Sequence, residues 1–287
     1  MPVVGRVIEV WRYPVKSMGG ERLQRCTLGV RGIPGDRGWA LRDETAGEVR
    51  GAKKLPDLLR CSARYLAEPS EDTIPSAEIT LPDGAKVRSD DPAAAARLSA
   101  LLHRPVTLRS LPPASATEYY RRALPDNPDM LAELRAIFGR TEDEPLPDIS
   151  VFPSELMEYT SPLGTHFDAF PLHLLTTASL ATLAQHAPGV RFDVRRFRPN
   201  FLIEPIAGVT GLIENEWCGK TLRVGSAQLK INMPCVRCVM PTLPQADLPH
   251  EPLVLRTIVR EAGQNLGVYA TAISAGAVAV GDPVEVI

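Results

Sequence analysis

Residues 3–17 read Val-Val-Gly-Arg-Val-Ile-Glu-Val-Trp-Arg-Tyr-Pro-Val-Lys-Ser. Residues 3–13 are rich in β-branched and aromatic side chains. Pro14, which has no N–H to give a ladder, ends the run. The stretch predicts a strand leading into a loop, and the pattern recurs outward from it. Residues 25–30, 39–43, 63–67, 78–81 and 86–88 are further strand candidates, separated by turns such as Gly32-Ile33-Pro34-Gly35 and Pro82-Asp83-Gly84. This spacing predicts a small antiparallel barrel or sandwich. Residues 92–102 are rich in Ala and Leu and predict a helix, with Asp91 as N-cap and Pro92 in the first helical position.

Beyond residue 110 the pattern loosens. Leu111-Pro112-Pro113 and residues 142–147 read as loops around one helix between Pro128 and Gly139. The change of domain is expected here, giving units over 1–115 and 116–287. The second unit predicts strands at 171–175 and 201–204, with a helix to about residue 185 capped by Thr177. A hairpin around Gly225 joins 222–224 to 227–232, a helix covers 253–261, and strand-like runs fill 267–287. The fold class is β-rich α+β: a barrel-like N-terminal domain, then a second β domain with peripheral helices.

A formal charge of −2 and a pI near 6.2 argue against a nucleic-acid partner or an anionic membrane surface. No secretion signal is evident, and no apolar run approaches the roughly 18 residues of a membrane span. A cytoplasmic location is expected.

The five cysteines, Cys26, Cys61, Cys218, Cys235 and Cys238, are odd in number and irregular in spacing, which suits reduced thiols. The Cys235/Cys238 pair has several readings. Structural zinc wants a second pair or nearby histidines. A c-type haem wants His at 239, which is Val239. A thioredoxin-like pair normally opens a helix, and Pro241 interrupts one. Two buried thiols remain an option. So does a single thiolate on a soft metal, with Arg237 favouring its charged form.

Other residues carry anion-binding chemistry. Lys16 and Ser17 follow the first strand in a Gly-containing loop, where ammonium, hydroxyl and amides can hold a phosphate. Arg37 stands in Gly35-Asp36-Arg37-Gly38, which could equally be a surface turn with a weak Asp–Arg pair. Arg195, Arg196 and Arg198 precede Pro199 and Asn200 at the entrance of an apolar strand. Asp168 precedes the strand at 171–175 and Thr176 follows it, with His173 between apolar neighbours as a satisfied core histidine.

In combination and order, Tyr-Pro-Val-Lys-Ser at 13–17, Gly-Asp-Arg at 35–37, Thr-Thr-Ala-Ser-Leu at 176–180, Phe-Arg-Pro-Asn at 197–200, Cys-Val-Arg-Cys at 235–238 and Val-Gly-Asp-Pro at 280–283 match a known pattern. The chain resembles MOSC-domain proteins with an N-terminal MOSC β-barrel, the group that includes the mitochondrial amidoxime-reducing component and its bacterial relatives. The resemblance implies a MOSC β-barrel domain after the first one, and a molybdenum cofactor (molybdopterin). Cys238 would supply the thiolate to molybdenum. Lys16, Ser17, Arg37, Thr176, Arg198, Asn200 and Arg237 would contact the cofactor, Tyr269 would line its pocket, and Asp168 would relay protons. The implied activity is reduction of small N-hydroxylated or N-oxide compounds, with electrons from a separate ferredoxin- or flavin-type donor protein. The rival readings are a sulfur carrier with a persulfide on Cys238, and a protein that stores or delivers the cofactor.

Overall fold

The computed structural model describes residues 2–287. Strand β1 (Val3–Arg12) belongs to a closed ring. Its successive neighbours are β11 (Phe201–Pro205), β10 (Leu172–Thr176), β14 (Asn265–Ser274), β13 (Ala227–Val236), β12 (Thr221–Val224) and β16 (Pro283–Val286), which pairs back to β1. Seven strands thus close a barrel and leave no free edge in the ring. β2 (Glu21–Leu23) is appended to β1, and β3 (Arg25–Leu28) pairs with β15 (Gly276–Ala279). Inward side chains fill the barrel, among them Val7, Val10, Phe201, Ile203, Ile231 and Val268. Gly5 permits the β1–β11 approach, since a Cβ there would lie 2.6 Å from the Glu204 carbonyl oxygen.

β10 and β11 run parallel, which requires a crossover. Helix α5 (Thr177–His186) provides it and packs with α6 (Pro252–Glu261) over the barrel, around Leu175, Leu202, Val254 and Ile258. The returning chain then delivers Arg198 and Asn200 immediately before β11.

A second core, with Leu41, Leu58, Ile79 and Leu98, lies between two three-stranded sheets and helix α1 (Pro92–Leu102). In one sheet, β4 (Trp39–Asp43) pairs with β5 (Glu48–Val49) and β9 (Val106–Ser110). In the other, β7 (Ala77–Thr80) pairs with β6 (Ser62–Tyr65) and β8 (Lys86–Arg88). The Asp91 side chain accepts from the Ala93 N–H and Pro92 opens α1, as the sequence predicts. Between the sheets and β10 lie α2 (Thr117–Tyr120), α3 (Met130–Phe138) and α4 (Glu155–Glu158).

The two cores do not fall on either side of residue 115. β1, β2 and β3 hydrogen-bond within the sheets of the C-terminal strands, because the long, alternately buried β1 needs partners from both chain ends. Two local expectations change. The cap of α5 is Thr176, whose extended backbone lets Oγ1 accept from the Ser179 N–H; Thr177 is already helical. β13 continues past residue 232 to Val236, with register shifts flanking Pro234 that accommodate its missing N–H.

Candidate functional site

A cavity of about 680 Å³ opens where the barrel, the second core and the 111–165 segment meet. Lys16, Ser17, Arg37, Asp168, Arg198, Asn200, Arg237, Cys238 and Tyr269 line it, though they come from distant parts of the chain. Thr176 does not line it. Its hydroxyl donates to the buried carboxylate of Glu214, 2.7 Å away, at the start of α5. The arginine run also divides. Arg196 is fully buried and ties down the Pro241 and Pro249 carbonyls, whereas Arg195 pairs at the surface with Asp193 and Asp247. Arg198 has no carboxylate partner among the described residues.

Three lining residues other than glycine, Ser17 (φ 68°), Arg37 (φ 51°) and Arg198 (φ 56°), adopt left-handed backbone. Such conformations are strained and persist where the surroundings over-determine them, often at ligand sites. Here the over-determination is visible around Tyr13. The Arg198 and Arg37 guanidinium carbons lie over its ring at 4.2 and 4.7 Å from the centroid, and its hydroxyl donates to the Pro199 carbonyl at 2.9 Å. Asp36, with a wholly buried side chain, accepts from the Tyr13 N–H at 2.8 Å, from Asn200 Nδ2 at 2.9 Å and from the Arg37 guanidinium. Asn200 uses its other amide hydrogen on the Trp11 carbonyl and accepts from the His173 N–H. It therefore braces the site and has little capacity left for a ligand. Burial, and then the charge of Arg37, lower the pKa of Arg198 to about 10. An anion held between these two guanidinium groups would relieve that repulsion.

Lys16 donates to Asp168 and to the His166 carbonyl, each at 2.6 Å. Lys53, which the sequence reading missed, lies 3.1 Å from the same carboxylate. Burial alone would favour neutral Asp168, but the two ammonium groups hold its pKa well below the ordinary value. Burial pulls the Lys16 pKa down. Lys53 stands two residues after Gly51, where a Cβ would come 2.6 Å from Ser17 Oγ. That crowding is invisible in sequence. Ser17 Oγ accepts from the Ala52 N–H at 2.9 Å, leaving its O–H to donate.

The cysteine pair sits where bulged β13 ends. Cys235 is 2% exposed and accepts from Arg237 Nη1 at 2.9 Å. Cys238 is half-buried in the cavity wall. Burial opposes the Arg237 charge, but Cys235, Tyr269 and Cys238 outweigh it and raise its pKa. Its Nε is buried without a partner. Tyr269 stacks on Phe170 with ring centroids 5.1 Å apart.

His166 and His173 are buried and neutral. Burial, reinforced by Lys16 and Arg237 respectively, pushes both pKa values down to about 3. Unfolded histidines take up protons below about pH 6.5, so this contribution to stability is complete above that value and is lost as the pH falls toward 3. Urea midpoints measured between about pH 7.5 and 5 are expected to decline on acidification, and a flat profile would contradict the assignment.

The sequence matches the MOSC N-terminal beta barrel domain over residues 4–103 and the MOSC domain over residues 164–285. It is similar to mitochondrial amidoxime reducing component 2 of Bos taurus, at 26% identity across 98% of this chain and 83% of that protein. Among solved structures, the YUAD protein of Bacillus subtilis is 14% identical over 98% of this chain and 94% of its own, with a TM-score of 0.45. YiiM from Geobacillus stearothermophilus is 18% identical with a TM-score of 0.32, over 41% of this chain and only about half (54%) of its own length.

Proposed function

We propose that this chain, a MOSC-domain protein with a MOSC N-terminal beta barrel domain, binds molybdopterin-type molybdenum cofactor and reduces N-hydroxylated or N-oxide small molecules with electrons from a separate donor protein. One observation carries this reading: a half-buried thiol, Cys238, shares a cavity with two buried guanidinium groups, Arg198 and Arg237, that have no carboxylate partner among the described residues.

The residues fit such a cofactor. Among the described residues no group of three or more His, Cys, Asp or Glu is placed to hold a metal. A metal here must therefore bring most of its own donors, as a pterin dithiolene does, and take one protein sulfur. Arg37, Arg198 and the Ser17 hydroxyl suit the phosphate, and the orphaned Arg237 Nε suits an acceptor on the pterin. When bound, the group supplies a two-electron redox centre. The N–O bond breaks with two electrons and two protons, leaving the reduced nitrogen compound and water.

Asp168 changes role in this reading. A carboxyl held so far below the ordinary range is a poor proton donor near neutrality, so it orients Lys16 and Lys53. Lys16, with its lowered pKa, is the better proton carrier. No helix among the described residues is long and apolar enough to cross a membrane.

The test is metal and pterin analysis of protein made in a cofactor-producing host, wild type beside Cys238→Ala. Wild type is expected to carry molybdenum and pterin together, and the variant to lose the molybdenum. Persulfide sulfur on Cys238 without molybdenum would overturn the reading in favour of sulfur transfer.

A further inference from the structure

Away from its cationic end the cavity changes character. That wall comes from residues 104–163, the stretch between the two domain matches. Leu124, Met130, Ile137, Phe138, Phe152 and Met157 line it, interleaved with charged side chains of the same stretch such as Arg122 and Glu133. Leu124 is 88% exposed, Met130 53% and Met157 66%. Apolar residues scattered singly over a surface need no explanation, but large ones gathered around one concavity mark a binding site. The cavity volume is that of a small-molecule site, which combines apolar walls with a few polar anchors.

The wall is fixed to the cysteine turn. The Val239 N–H donates to the Ile137 carbonyl at 3.2 Å. Buried Arg140 donates to the Arg237 carbonyl at 3.0 Å, to the Phe138 carbonyl at 2.5 Å and to Gln264 Oε1 at 3.1 Å. The last turn of α3 and the Cys238 turn are thus clamped together.

From this geometry we infer that residues 104–163 form the specificity element of the site and select substrates whose non-reacting part is an apolar chain or ring. The word substrate rests on the reductase reading; the apolar selection does not. Exposed Met130 and Met157 tolerate a polar replacement without loss of the fold.

The experiment measures calorimetric affinity and turnover for straight-chain amidoximes from acetamidoxime to octanamidoxime, in cofactor-loaded wild type, Met130→Glu, Met157→Glu and Val30→Glu, the last an exposed site outside the cavity. Affinity is expected to rise about two- to fourfold per added methylene in wild type. The two methionine variants flatten this gradient and Val30→Glu keeps it. No gradient in wild type, or one unchanged in both methionine variants, overturns the inference. Tighter binding of long chains without turnover of any leaves the wall standing and removes the reductase reading. Turnover without chain-length preference does the reverse.

Discussion

Cys238→Ala is expected to lower turnover by about a thousandfold or more while the protein unfolds at nearly the wild-type urea concentration. Cys238 is half-buried beyond the end of β13 and packs in none of the three cores, so its thiol adds little to stability; surface-like changes stay within about 0.5 kcal/mol. Losing a partner behind a metal ligand typically costs roughly 10–100-fold in affinity or activity, and on the proposed reading, in which Cys238 is the one protein ligand, its loss costs more. Cys235→Ala should behave in the opposite way. It leaves the buried Arg237 guanidinium without its sulfur acceptor, beside an Nε that already lacks a partner. An unsatisfied buried donor costs about 1–3 kcal/mol, yet the ligand remains. Turnover per bound molybdenum and urea midpoints for the two variants separate these effects. An active Cys238→Ala beside a dead Cys235→Ala would transfer the ligand role to Cys235.

The largest loss of stability is expected from Asp36→Ala, at about 3–5 kcal/mol, the cost of leaving a buried charge unpaired. Asp36 carries the Tyr13 amide, the Asn200 amide and the Arg37 guanidinium on one carboxylate. Its removal frees all three and loosens the left-handed turn at Arg37. Against a typical total of about 5–15 kcal/mol for a domain, this is a fifth or more of the stability. Asp247→Ala is the control. That carboxylate pairs with Arg195 and Arg191 but is 56% exposed, so its loss should cost at most about 1 kcal/mol. Equal urea midpoints for the two variants would refute the account of Asp36.

Asp36 also shows where reading a sequence stops. In Gly35-Asp36-Arg37-Gly38 the pair is indistinguishable from a solvated turn. Its weight comes from Tyr13 and Asn200, residues that folding brings to it. Lys53 was missed for the same reason: its carboxylate partner lies more than a hundred residues away. The arginine run at 195–198 looked like one anion-binding feature, yet only Arg198 faces the cavity without a tie to backbone carbonyls of the 241–249 loop or to surface carboxylates. Thr176 belonged to a motif and proved to be a helix cap. Strand β5, two residues long, carries too few residues for alternation to register.

Local features were determined by the sequence itself. The strand ending before Pro14, the Asp91-Pro92 start of α1 and the helix closing at Gly139 follow from neighbours along the chain, where caps, turns and periodicity act; Lys16, Arg37, Arg198 and Cys238 were singled out by the family motifs and their order. The tertiary structure alone decided that β1 closes the C-terminal barrel, that Asn200 braces the turn around Asp36 and Trp11, that Asp168 is held ionised by two lysines, and that Arg198 and Arg237 have no carboxylate partner among the described residues. These properties depend on burial and on pairing between residues far apart in sequence. Desolvation makes an uncompensated charge costly enough to mark a site, and desolvation exists only once the chain has folded.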